Sequence, residues 1–237
     1  MIIVKVKKQI KFRNTLFNMS IAQNLFEIKS SLPDNVTLVA VSKTKPISDL
    51  MQAYDASQRI FGENKIQEMA EKWEAMPKDI QWHMIGHVQT NKVKFMAPFV
   101  SLIHGVDSLK LLVEINKQAQ KNNRIINCLL QIHIAEEETK FGLDEKELNE
   151  ILASTTFQEM KNIKIVGLMG MATFTDNKEQ IKTEFTPLKT IFDYYQNLKT
   201  ENCQLNTISM GMSGDYQLAI ECGSTMVRIG SSIFGGR

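Results

Sequence analysis

Three short stretches carry residue types suited to chemistry. In Val39-Ala40-Val41-Ser42-Lys43-Thr44-Lys45-Pro46, a lysine follows an apolar, β-rich run. A lysine pointing inward at the end of a buried strand is desolvated. Its pKa falls, and its neutral amine can attack a carbonyl. The same lysine can instead lay its stem on apolar surface and keep its charge in water, and spacing alone leaves both readings open. Lys45 shares the pleat parity of Lys43, but Pro46 follows it, so Lys45 reads as a solvated loop residue. The second stretch is Ser209-Met210-Gly211-Met212-Ser213-Gly214-Asp215. Glycines there let backbone amides approach an anion, and Ser213 is a candidate to begin or cap a helix over 216–221. The third is Arg228-Ile229-Gly230-Ser231-Ser232, again amides and hydroxyls after a β-rich run. Taken singly, each of the last two is commonly just a turn.

The elements that must position these residues follow from hydrophobic periodicity. Short β-rich runs are predicted at 37–42, 59–61, 81–85, 101–105, 125–134, 163–169, 207–210 and 226–229. Helical patterns are predicted over 18–30, 48–56, 109–120, 144–153 and 179–198. Asp144 and Glu147 suggest a capping box, and Pro187 is expected to bend or break the last of these helices. Nearly uninterrupted apolar strands joined by long connections imply parallel pairing. The predicted fold is therefore a single α/β (β/α)₈ TIM barrel with an extra N-terminal helix. A doubly wound open sheet is the runner-up, but no Gly-rich dinucleotide turn follows the first strand. In a barrel, Lys43 lies on the face where active sites form, and the loops after strands seven and eight often bind phosphate. Together the three stretches describe a site for a phosphorylated aldehyde.

Other candidates are weaker. His83 and His87 lie on a strand and its turn, not on one helix face, so no zinc pair is expected. His83 is a candidate to face the barrel mouth, whereas His104 and His133 read as satisfied interior or rim residues. Glu136, Glu137 and Glu138 read as a solvated loop, and Lys140 as a surface lysine. Trp73, Trp82 and the methionines read as packing residues.

Composition narrows the class. The 237 residues are 43% hydrophobic and 23% charged, which is ordinary for a globular protein. The net charge of +2 gives no electrostatic case for nucleic acid or an anionic membrane. No apolar run approaches the roughly 20 residues of a membrane span. Cys128, Cys203 and Cys222 are odd in number and widely spaced. That argues against disulfides and structural zinc and for a cytoplasmic location. Residues 1–18, with several lysines, read as a solvated N-terminal extension, and 19–237 as the barrel domain.

Several motifs resemble the YggS/PROSC family of pyridoxal 5′-phosphate (PLP) homeostasis proteins, whose fold is similar to the N-terminal barrel of alanine racemase. They are Val39–Pro46, Phe61-Gly62-Glu63-Asn64 with Gln67-Glu68, Trp82–Gln89 with Asn91-Lys92, Gly167-Leu168-Met169, Ser209–Ser213 and Gly223–Gly230. The resemblance implies that Lys43 holds PLP as a Schiff base, the internal aldimine, and that Arg228 faces the pyridine nitrogen. It implies that Ser213, Gly230 and Ser231 hold the phosphate, and that Asn64 and His83 line the mouth. Gly214 and Ser231-Ser232 depart mildly from the family pattern, and small residues are kept at both places.

The implied site favours a carrier over an enzyme. Arginine is a cation with donors only, so set against the pyridine nitrogen it disfavours protonation and weakens the electron sink. A racemase also needs a second base, which in alanine racemases is a tyrosine from a further β-domain. The sequence reaches Arg237 seven residues after Gly230, and no such domain is expected. The expectation is a monomeric PLP-binding protein with little or no turnover that passes PLP to apo PLP-dependent enzymes. The alternatives are a PLP-dependent amino-acid racemase using His83 or a tyrosine, and a Schiff-base aldolase using Lys43 directly.

Overall fold

Successive residues of a strand point to opposite sides of its sheet, and here that parity sorts the molecule into two layers. The computed structural model describes residues 20–137, 141–197 and 199–236. The predicted extension and Lys140 lie outside the described residues. The strands are β1 (Thr37–Val41), β2 (Ile60–Glu63), β3 (Gln81–Met84), β4 (Leu102–Val106), β5 (Ile126–Gln131), β6 (Ile163–Met169), β7 (Lys199–Thr200), β8 (Cys203–Ser209) and β9 (Met226–Ile229). From β1 to β6 each strand pairs in parallel with the next. Then β6 pairs with β8, β8 with β9, and β9 with β1, which closes an eight-stranded parallel barrel. The two-residue β7 is an antiparallel attachment to β8. Closure through Val39 opposite Arg228 bears out the predicted barrel and excludes the open sheet.

Inside the barrel, Val39, Leu102, Leu129, Met169 and Met226 form a small apolar layer. Their neighbours along the strands, among them Leu38, Ala40, Phe61, Trp82, Ile103, Leu168, Val227 and Ile229, belong to the larger core beneath the helices. The barrel leaves little slack at its seam. A Cβ on Gly167 would stand 1.9 Å from the Thr207 carbonyl oxygen across the β6–β8 seam. Only glycine lets those two backbones approach so closely.

The helices are α1 (Ile21–Ser31), α2 (Ile47–Asp55), α3 (Ile66–Ala75), α4 (Val93–Met96), α5 (Leu109–Lys121), α6 (Glu145–Ala153), α7 (Thr155–Gln158), α8 (Lys178–Tyr195), α9 (Tyr216–Glu221) and α10 (Ser231–Phe234). The expected capping box holds: the Asp144 carboxylate accepts from Glu147 N at 2.7 Å, and Glu147 Oε2 accepts from Asp144 N at 3.0 Å. Contrary to expectation, α8 runs through Pro187. Ile181, Phe185, Leu188, Phe192 and Tyr195 bury one face of it, which offsets the lost backbone bond. The eighth strand in sequence also begins earlier than its predicted 207–210. Its first half alternates buried Cys203 and Leu205 with exposed Gln204 and Asn206, a one-faced pattern and not an uninterrupted apolar run. The helix α3 escaped the sequence reading because its inner face includes a buried lysine, Lys72.

Candidate functional site

The C-terminal ends of the strands surround a cavity of about 790 Å³, within the range typical of small-molecule sites. Lys43, Asn64, Ser213, Arg228, Gly230 and Ser231 all line it. Six of the seven predicted site residues thus meet in one place, from four separate strand ends. Parity explains two of them. Val39 is inside, so Val41 and Lys43 follow it inward from β1, and Met226 brings Arg228 inward from β9. Lys43 is half-buried in the turn after β1. Ile85, Met171 and Met212 supply apolar wall.

Arg228 is held rigidly. Its Nη1 donates to Ser209 O and Ser209 Oγ, both at 2.7 Å, and its Nη2 donates to Gly170 O at 3.1 Å. Burial lowers its pKa to about 10, opposed by the nearby Asp215 carboxylate, so it stays cationic at neutral pH. Ser209 continues inward: its hydroxyl lies 3.0 Å from His104 Nδ1, and His104 Nε2 lies 3.0 Å from His83 Nδ1. Burial pushes His83 down to about 3 and His104 well below its usual range, the latter also because His83 and Arg228 are close. Both rings are neutral, each with one donor and one acceptor, so one proton lies in each of the two contacts.

That arrangement corrects the reading of His83. It does not line the cavity; it is buried in the barrel interior as the far end of a hydrogen-bonded chain to Arg228. Its parity was right, but β3 is short and His83 sits one layer too deep. His104 is the satisfied interior histidine expected of it. Ser213 does not cap α9, whose N-cap is Asp215. Its hydroxyl instead accepts from Gly230 N at 3.2 Å and so ties the β8 loop to the β9 loop. A Cβ on Gly230 would meet Val41 O at 3.0 Å and Val41 Cβ at 3.2 Å. Ser231 opens α10, where Ile233 N and Phe234 N both donate to Gly230 O at 2.9 Å. Lys45, expected in solvent, donates to Phe234 O at 3.0 Å and Gly236 O at 2.9 Å, and holds these residues beside the cavity.

The family model for the alanine racemase N-terminal domain matches residues 19–237. A pyridoxal phosphate homeostasis protein of Aquifex aeolicus is 39% identical over 201 residues, covering 84% of this chain and 86% of that one. The chain belongs to the pyridoxal phosphate homeostasis protein family. PipY of Synechococcus elongatus PCC7942, solved with PLP bound, superposes with a TM-score of 0.82 at 32% identity, covering 91% of this chain and all of that one. An alanine racemase of Clostridium difficile shares the fold, with a TM-score of 0.73 at 14% identity, and the chain spans 57% of its length.

The homeostasis-family barrel also has site residues that sequence reasoning missed. Thr173, Phe174, Thr175 and Asp176, after β6, line the cavity. Buried Glu184 of α8 organises this loop. It accepts from Thr173 N at 2.6 Å, Thr173 Oγ1 at 2.7 Å and Glu136 N at 3.0 Å. These bonds hold its carboxyl below the usual range despite the opposing desolvation, the largest single effect. An acid on the inner face of an amphipathic helix was the available signal.

Proposed function

We propose that this barrel, residues 19–237, binds PLP at its mouth and serves intracellular PLP homeostasis as a carrier with little or no turnover. Lys43 is the covalent anchor, Arg228 faces the pyridine nitrogen, and Ser213, Gly230 and Ser231 hold the phosphate, with Asn64 beside them. The observation that carries this reading is the convergence of Lys43, Arg228 and the two Gly/Ser loops on one cavity. Those residues fit the group: an amine, a donor-only cation, and small residues whose amides and hydroxyls suit an anion. The name of the Aquifex relative and the PLP held by PipY support the same assignment. When bound, PLP supplies an aldehyde that reacts reversibly with amines. Arg228 donates to a ring nitrogen and cannot give it a formal proton without losing its own, so the site suits retention more than carbanion chemistry.

The racemase reading is weaker because no tyrosine or histidine is among the described residues lining the cavity, and His83 is neutral and buried away from it. We assign the protein to the cytoplasm, in keeping with the free thiols Cys128, Cys203 and Cys222. It acts as a monomer whose recipients are apo PLP-dependent enzymes. The protein mixed with PLP should turn yellow, and borohydride should fix the colour on the peptide containing Lys43. Lys43→Ala should abolish it, and wild-type protein should reactivate an apo-enzyme. Amino-acid racemisation at an ordinary enzymatic rate, or a colourless protein, would refute the proposal.

A further inference from the structure

The turn that carries Lys43 is fastened on both sides to a buried cluster of charges outside the cavity. Lys72 of α3 has a side chain only 6% exposed, yet its ammonium meets three acceptors. It donates to Glu63 Oε1 at 2.7 Å, Glu68 Oε1 at 2.7 Å and the Ser42 carbonyl oxygen at 2.8 Å. An ammonium has three N–H donors, so its capacity is filled. Ser42 also donates its hydroxyl to Glu63 Oε1 at 2.6 Å and its N–H to Gly62 O at 3.0 Å. On the other side of Lys43, Thr44 N donates to Glu68 Oε1 at 2.6 Å. Thr44 has φ of +63°, a left-handed conformation that a β-branched residue adopts only when its surroundings impose it.

A buried ion cluster is poor evidence of stabilisation, because apolar residues of similar volume often do as well. What this one does specifically is fix geometry. Its members touch the residue before Lys43 and the residue after it. We propose that the Glu63–Lys72–Glu68 triad positions Lys43, holding the strained turn that aims its amine into the cavity. This rests on the reading of Lys43 as the covalent anchor. The amine must reach an aldehyde carbon whose distant phosphate is fixed across the opening. It adds to that carbon and one water leaves as the C=N bond forms. A slack turn would let the lysine swing toward solvent, and small misplacements of reacting atoms are costly in rate.

The test compares the full-length wild type with Glu68→Ala, Glu68→Gln, Thr44→Gly and Lys43→Ala. The first readout is PLP affinity from the borohydride-fixable visible absorbance, together with the pH midpoint of that absorbance. The second needs no PLP. Ligand-free protein is labelled with acetic anhydride across pH, and modification of Lys43 is compared with that of Lys146, whose side chain is 83% exposed. Losing a charge-assisted bond to Thr44 N should weaken PLP binding about tenfold, and the Lys43 labelling profile should shift toward that of Lys146. Glu68→Gln, whose amide oxygen still accepts from Thr44 N, should restore most of both. Thr44→Gly keeps every triad atom and accepts the positive φ, so it should stay folded yet show the same shifts in part. Wild-type affinity, pH midpoint and labelling in Glu68→Ala would overturn the proposal. So would a failure of Glu68→Gln to rescue a folded Glu68→Ala. Should Glu68→Ala not fold, Glu68→Asp, one methylene too short to reach both Lys72 and Thr44 N, decides by the same criteria. If wild-type protein forms no colour at Lys43, the PLP assignment falls and the labelling profiles alone judge the triad.

Discussion

Lowering the pH from 7.5 to 5 should destabilise this barrel from its interior. His83 has an ordinary pKa of 6.5 when unfolded and about 3 when folded, because burial excludes its charged form. Above pH 6.5 the ring is neutral in both states and costs nothing. As the pH falls below that value, the unfolded chain takes up a proton that the folded chain refuses, so stability declines until about pH 3. At pH 5 the unfolded ring is protonated and the folded one is not, and the linkage loss is about 2 kcal/mol from His83 alone. His104, also depressed, adds in the same direction. For a chain of this size, 2 kcal/mol corresponds to roughly 4–8 °C in Tm. The assay is urea unfolding at the two pH values for wild type and His83→Asn. The variant starts less stable, since His104 Nε2 loses its partner at 3.0 Å. Its further loss between pH 7.5 and 5 should nevertheless be smaller than the wild type's by about 2 kcal/mol. Equal losses in the two proteins would refute the assignment of a neutral, proton-refusing His83. So would an NMR titration placing its midpoint near 6.5.

Two further perturbations test the framework. Gly167→Ala puts a methyl 1.9 Å from the Thr207 carbonyl oxygen, and should cost about 3 kcal/mol or more by thermal or urea unfolding as the β6–β8 seam is forced apart. Arg228→Met leaves the Ser209 and Gly170 carbonyls without their donor. It should lower stability by on the order of 2 kcal/mol and loosen PLP retention while leaving borohydride fixation at Lys43 possible, as checked by melting and by peptide mass.

Some of this was legible in sequence because it is local. An apolar strand delivers Lys43 within a few residues, and a Gly/Ser turn follows each of the last two barrel strands, so order and parity marked the three stretches as candidates, and the family resemblance singled out Lys43, Ser213, Arg228, Gly230 and Ser231 within them. What escaped depends on distances along the chain that periodicity does not encode. His83 and His104 are 21 residues apart, and Ser209 is 105 residues beyond His104. Nothing local shows that strand register stacks them. Glu63 and Glu68 stand in a recognisable motif, but Lys72 looks like an ordinary solvent-facing helix residue until α3 is docked on the barrel. Pro187 misled for the converse reason, since local propensity was overridden by burial of the α8 face.

The two buried polar systems act on opposite ends of the same proposed ligand, and they differ in how they are built. The one beneath Arg228 holds a single cation with neutral partners: two carbonyls, a hydroxyl, and beyond it two uncharged imidazoles. None of these can take Arg228's charge, and Asp215 offsets it from the cavity side. The guanidinium therefore stays a donor, which fixes the electronic character of whatever ring nitrogen meets it. The one beneath Lys43 is built on an ammonium and two carboxyl groups and grips the main chain and a hydroxyl on either side of the lysine. It constrains where the amine is. A site whose cation is locked against proton exchange, and whose amine is locked in place, is arranged to hold an aldehyde reversibly. Turning over an amino acid would draw on a protonated ring nitrogen as electron sink, and a donor-only cation held in this way weakens that sink.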